Sequence, residues 1–284
     1  MKHICLAVVF GFISILAQAQ QKQIHILHSS DTHSRIEPIE TSSSDVDAGL
    51  GGVERRYALI SAYRAEHPEV LVLDCGDFSQ GTPYYNLYQG EAEVSAMNLM
   101  GYDAATIGNH EFDFGLENMA RLYRLARFPI VCANYDVTGT VLEGLVHPYV
   151  VIEREGVKIG IFGLAPRLEG LVQLDKYEGV VYSDPVAAAQ KVVNELRERE
   201  QVDVVICLSH LGILSEDDSS DKSEYDNTLA VKTSGIDLIL GGHTHTRMEK
   251  PHVYSNAVGE VVPVMHIGKS GCYLSKSILT VESR

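Results

Sequence analysis

Residues 202–210 read VDVVICLSH, an apolar and β-rich run that stops at a histidine. Four other stretches repeat the pattern. QIHILHSS (23–30) leads into Asp31-Thr32-His33, and EVLVLDC (69–75) leads into Gly76-Asp77. YDAATI (102–107) leads into Gly108-Asn109-His110-Glu111, and IDLILGG (236–242) ends against His243-Thr244-His245. Each run has the composition of a strand, so each polar cluster is expected at a strand's carboxyl end. Open α/β sheets bind ligands in the crevice outside those ends. Five polar clusters at five strand ends predict one site assembled from distant parts of the chain.

Helical patterns fill the intervals between the runs. Val53–Glu66 has helical periodicity, opened by Gly51-Gly52 and closed by His67-Pro68. Residues 91–100 and 116–127 are two more predicted helices. Asp184 caps another, with Pro185 at its first position, running to about Glu200. Residues 128–134 read as a buried strand, and 147–154 with 157–165 as a hairpin turning at Glu155-Gly156. Residues 215–228 are acidic, serine-rich and loop-like, ahead of a short helix near Leu229, and 261–268 and 273–282 are the last strands. Alternating strands and helices predict an α/β layered fold with some antiparallel strands. No repeat or linker divides the sequence, so residues 20–284 read as a single domain.

The composition is that of a globular protein, with 45% hydrophobic and 21% charged residues. A net charge of −15 argues against a nucleic-acid polymer as partner. A small anionic substrate stays compatible with that charge if metal cations supply the local positive field. Residues 1–19 read as a secretory signal: Lys2 gives the positive start, Ile4 to Leu16 the apolar run, and Ala17-Gln18-Ala19 the cleavage site. The apolar run is too short for a stable membrane anchor, which needs about 20 residues. The expected location is therefore exported, in a bacterial periplasm. Cys75, Cys132, Cys207 and Cys272 remain after cleavage; their spacing fits buried free thiols, with one disulfide as the alternative.

The clusters have the chemistry of a metal site. Asp31 and His33 are two residues apart, so on an extended strand end both side chains face one way. His243 and His245 repeat that spacing after Gly241-Gly242. Asp77 offers two carboxylate oxygens and can bridge two cations, which an imidazole cannot. Asn109 and His110 are adjacent and point apart, one suited to a ligand and the other to catalysis. Asp113 is three residues beyond His110, close enough to fix its tautomer. Asp31, His33, Asp77, Asn109, His210, His243 and His245 make seven N and O donors without a thiolate. That set suits two divalent ions drawn from Zn, Mn, Fe or Co. Two such cations clamp the oxygens of an in-line displacement at phosphorus, so the predicted chemistry is metal-assisted phosphate-ester hydrolysis.

ILHSSDTHSRIEP, GGVERR, LDCGDFSQGTPYYNLYQG, TIGNHEFDFG, LSHLG and GGHTHT, in this order, resemble the signature of calcineurin-like metallophosphoesterases, and within them the secreted 5′-nucleotidase family. The resemblance spans residues 24 to 282. It implies a four-layer α/β/β/α sandwich. It also implies that Asp31, His33, Asp77 and His245 hold one metal, and Asp77, Asn109, His210 and His243 the other. His110 and Asp113 match that family's catalytic dyad, with a metal-bound water as nucleophile. Ser30 stands where the family often has asparagine. Enzymes of that family carry a further C-terminal domain that binds the nucleoside, and this sequence stops at Arg284.

The expectation is therefore an exported phosphatase for small phosphorylated substrates, nucleoside 5′-monophosphates foremost. Two alternatives stay open: a 2′,3′-cyclic-nucleotide phosphodiesterase, and a catalytic subunit that needs a separate chain to supply the nucleotide-binding domain.

Overall fold

The computed structural model describes residues 21–214 and 224–282. The elements run β1 (Gln21–Ser29), α1 (Val53–Glu66), β2 (Leu71–Asp74), α2 (Pro83–Tyr88), α3 (Glu91–Met100), β3 (Ala104–Ala105), α4 (Gly115–Leu125), β4 (Ile130–Val131), β5 (Tyr135–Asp136) and β6 (Val146–His147). There follow β7 (Tyr149–Arg154), β8 (Val157–Leu164), β9 (Val181–Tyr182), α5 (Pro185–Asn194), β10 (Val204–Ser209), α6 (Asp226–Lys232), β11 (Leu238–Gly241), β12 (His252–Ser255), β13 (Val261–His266) and β14 (Ser275–Glu282). One six-stranded sheet has the order β14-β1-β2-β3-β4-β6, and the other β12-β13-β11-β10-β8-β7. The strands leading into the site, β1, β2 and β3 in one sheet and β10 and β11 in the other, pair in parallel with one another. Antiparallel strands close both edges of the second sheet and the β14 edge of the first.

The run of residues 202–210 shows why the layers form. Val204, Ile206 and Leu208 face the first sheet and pack with Ile24, Ile26, Leu71 and Leu73. Val205 and Cys207 point the other way, into a core shared with Val192, Leu196 and Leu229. A parallel strand covered on both faces has no solvent side, so its sequence is apolar from Val204 through Leu208. In β2, Leu71 and Leu73 join the core between the sheets, while Val72 packs outward with Ile60, Met97 and Met100. Helices α1, α3 and α4 cover the first sheet, and α5 and α6 the second. The four layers are α/β/β/α.

Local rules account for several boundaries. Glu155 and Gly156 both have positive φ (51° and 70°) between the paired residues Arg154 and Val157, the two-residue turn that matches strand twist. Asp184 accepts a hydrogen bond from Ala187 N at 2.8 Å, and Pro185 starts α5. That helix continues through a π-type turn at Glu195–Arg199. All four cysteines in the described residues are free, and only Cys272 is not fully buried.

Other expectations need correction. Of residues 128–134 only Ile130–Val131 pair as a strand, because Ala133 N turns away to donate to Gly163 O of the other sheet at 2.8 Å. Within residues 215–228 the helix already begins at Asp226. The short helix α2 and the exposed edge strand β12 had no distinct sequence signal. The signal segment, residues 1–19, and residues 215–223 lie outside the described residues.

Ile206 is fully buried between the sheets. Ile206→Ala is expected to lower the unfolding free energy by about 2–5 kcal/mol, whereas Asp184→Ala, which removes an exposed cap, costs about 1 kcal/mol. Urea denaturation reads both, and equal losses would contradict the packing described.

Candidate metal centre

The five clusters meet at the carboxyl edges of the two sheets, and main-chain bonds hold them together. Asp31 N donates to Gly76 O (2.9 Å), His33 N to Asp77 O (3.0 Å) and Ser34 N to Phe78 O (2.9 Å), zipping the loops after β1 and β2. His210 Nδ1 bonds Cys75 O at 2.6 Å, a link from one sheet to the other. His243 N donates to both carboxylate oxygens of Asp31 at 3.1 Å, and Ser270 N donates to Asp31 O at 2.6 Å.

The placement of Asp31 and His33, and of His243 and His245, has a different cause from the one expected. These residues are not on extended backbone. Strand β1 ends at Ser29, and Asp31, His33, Asp77, His243 and His245 all have positive φ, from 46° to 75°. Such a conformation costs a non-glycine residue on the order of 1–3 kcal/mol and persists only where the surroundings enforce it. The loop bonds above do the enforcing. Gly108 and Gly242 give room: a Cβ on Gly108 would lie 2.1 Å from Asp77 Oδ1, and one on Gly242 would lie 2.0 Å from Ser30 Oγ.

Six of the side chains fall into two groups, Asp31 with His33 and His245, and Asp77 with His210 and His243. Within each group one donor atom per residue lies within 4.8 Å of the others. His33 Nε2 and His245 Nε2 are 2.9 Å apart, and Asp31 Oδ1 is 3.5 Å from His245 Nε2. His210 Nε2 is 3.0 Å from Asp77 Oδ2 and 3.8 Å from Asp31 Oδ1, which joins the two groups. Asn109 is buried, and the amide of the next residue, His110, donates to Asp77 Oδ1 at 2.8 Å.

These residues fit divalent cations. Asp31 and Asp77 are 0% and 2% exposed, and among the described residues only histidines lie within ion-pair distance of either. Buried carboxylates without compensation are costly. His210 Nε2 and Asn109 Oδ1 are buried without an aligned hydrogen-bond partner. Burial opposes protonation of His210, but Asp77 and Asp31 outweigh it and bring its pKa up to about 10. A position that draws a proton this strongly also draws a metal. Burial and the neighbouring His210 push His243 down to about 4, which keeps its imidazole neutral and able to donate a lone pair.

His110 stands at the rim. Its Nδ1 is 3.0 Å from Asp113 Oδ2, both side chains are about one-third exposed, and its ring meets His33 edge-on at 5.5 Å. The bond to Asp113 raises its pKa against the opposing effect of burial. A 3-10 turn over His110–Phe112 produces the pairing.

Two supporting groups escaped the sequence reading. Glu111 is 1% exposed and accepts hydrogen bonds from Gly108 N (2.6 Å), Asp77 N (3.0 Å) and Ser79 N (3.1 Å), holding the Asp77 loop from behind. Burial and the charge of Asp77 push it up to about 7. Its place in GNHE was the only available signal. Behind His210, the buried Asp226 bonds Ser209 Oγ at 2.5 Å and His266 Nε2 at 2.7 Å, and Ser209 Oγ in turn accepts from Leu211 N at 3.1 Å. Nothing in the local sequence joins Asp226 to His266, 40 residues apart.

A family model described as calcineurin-like phosphoesterase matches residues 24–247. The 5′-nucleotidase of Rattus norvegicus is 33% identical over 276 residues, which cover 90% of this chain and 46% of that protein. A crystal structure of a 5′-nucleotidase precursor from Thermus thermophilus superposes with a TM-score of 0.80 at 32% identity, covering 92% of this chain and 54% of that one. The calcineurin-like phosphoesterase YfkN of Bacillus subtilis gives a TM-score of 0.75 at 28% identity, covering 93% and 87%. The chain spans about half the length of the 5′-nucleotidases it matches.

Glu111→Ala would orphan three buried amides, each costing about 1 kcal/mol or more. A stability loss of about 3 kcal/mol is expected in chemical denaturation, and a loss below about 1 kcal/mol would show that water replaces the carboxylate.

Proposed function

The chain belongs to the calcineurin-like phosphoesterase family, a family of metal-dependent phosphoester hydrolases, and on that premise we propose that it is an exported, two-metal phosphatase acting on nucleoside 5′-monophosphates. The observation that carries this reading is the pair of donor groups, joined through Asp31, Asp77 and His210 at the edges of both sheets. Asp31, His33, Asp77 and His245 would hold one cation, and Asp77, Asn109, His210 and His243 the other, with Asp77 bridging. The thiolate-free donor set suits Zn, Mn, Fe or Co.

Bound cations would supply Lewis-acid polarisation of the phosphoryl group and a nucleophilic water at neutral pH. The protein's own part is positioning and charge. His110, held by Asp113 and by the hydrogen bond that its backbone N–H donates to Asp77, is placed to stabilise the charge that develops on the phosphoryl oxygens. Its partial exposure leaves the ring within reach of a substrate arriving from solvent. The nucleotide preference is drawn from the similarity to 5′-nucleotidases. The apolar run and small-residue site in residues 1–19 support export, and among the described residues no helix is long and apolar enough to cross a membrane.

The deciding experiment is phosphate release from AMP by residues 20–284 loaded with manganese or zinc. Turnover with two metal equivalents per chain supports the proposal; a folded, metal-loaded protein that leaves AMP intact refutes it and favours the subunit reading. His110→Ala is expected to keep both metals and lose roughly 10²–10⁴-fold in kcat. Asp77→Asn should lose metal as well as activity, measured by elemental analysis of the purified protein.

A further inference from the structure

A cavity of about 650 Å³ opens beside the second donor group, with His243 in its wall. Its other walls come from the segments that follow the strands of the second sheet: Pro166, Arg167 and Leu171 after β8, Leu211 after β10, and Tyr225 just ahead of α6. The volume lies within the range of about 300–1,000 Å³ typical of small-molecule pockets. Its position matters more. A phosphate ester lying over the two donor groups must send its leaving group somewhere, and this cavity adjoins them.

The chemistry of the walls narrows what that group is. Arg167 stacks on the ring of Tyr182 at 4.4 Å and is ion-paired with Glu224, while half of its side chain stays exposed. A guanidinium fixed from two directions loses little freedom when a ligand arrives, and its planar face stacks well on heteroaromatic rings. Leu171, 51% exposed, adds an apolar surface together with Pro166 and Leu211. The charge balance is also informative. Glu224 and Asp184 stand against the single guanidinium, so the lining is net negative and repels a second phosphate. Glu224 is a hydrogen-bond acceptor suited to hydroxyls or amines. An uncharged group with a planar ring and donor hydroxyls satisfies all of these conditions.

We propose that this cavity is a leaving-group subsite that binds the neutral nucleoside portion of a nucleoside monophosphate, with Arg167 and Leu171 as the residues that determine specificity. The proposal rests on the nucleotidase reading above for its substrate class. It places nucleoside recognition on this domain itself.

The test uses the product, so it does not depend on turnover or on bound metal. Adenosine binding to residues 20–284 is followed by ligand-observed NMR titration, with ribose as competitor. Saturable adenosine binding that ribose does not displace, weakened at least tenfold in Leu171→Asp and in Arg167→Ala, supports the subsite. Absent saturable binding, or binding unchanged in both variants, overturns it. Both side chains are at least half exposed, and thermal melting checks that each variant is folded. Should Leu171→Asp fail to fold, Arg167→Ala decides alone. Loss of AMP hydrolysis with adenosine binding intact would count against the nucleotidase reading and leave the subsite standing.

Discussion

The hydrogen bond from His210 Nδ1 to Cys75 O, 2.6 Å long and fully buried, is the contact on which the site depends. It joins the carboxyl edges of the two sheets, alongside the bonds from His243 N to the Asp31 carboxylate. It also fixes the imidazole so that Nε2 faces Asp77 and Asp31. A side-chain bond that orients a ring and leaves its other nitrogen toward a site is the usual support for a histidine ligand. Cys75 Sγ adds a bond to Leu240 O at 3.2 Å on the same seam, so the small thiol suits a place where the sheets approach closely.

Around that seam the backbone is bent into conformations that the sequence would not adopt alone. Five donor residues have positive φ, and among the described residues no lysine or arginine forms an ion pair with the buried Asp31 or Asp77. Each of these is unfavourable by itself. They persist because three large apolar clusters, two under the helices and one between the sheets, fix the strand ends from which the loops spring. Glu111 and Asp226 then tie the loops down from behind through amides and hydroxyls. Rigid strands carrying strained loops put the donors within reach of one another and leave the crevice short of positive charge. That deficit is what divalent cations would fill.

Much of the fold was legible. The helices at Val53–Glu66 and Glu91–Met100 and the turn at Glu155-Gly156 follow from periodicity, glycine and turn chemistry, all of which act over a few residues. The runs leading into the site were apolar and β-rich enough to mark strands, although polar residues such as Asp103 and Asp237 stand near their starts. Residues 128–134 misled because a strand's length depends on which partner its backbone finds, and Ala133 finds the other sheet. Spacing rules brought Asp31 to His33 for the wrong reason, since strand alternation was assumed where left-handed turns do the work.

The sequence by itself determined the alternation of elements, the apolar strands and the polar clusters at their ends, because periodicity and residue chemistry are local properties. No local pattern grouped Asp31 with His33 and His245, or Asp77 with His210 and His243, which only the family resemblance implied; the tertiary structure brings those donors together and alone decided that Asp226 meets His266. The pairing of His33 with His245 alone crosses 212 residues of chain. Such pairings are set by the order in which strands pack within and between two sheets, and no local pattern in the chain encodes that order.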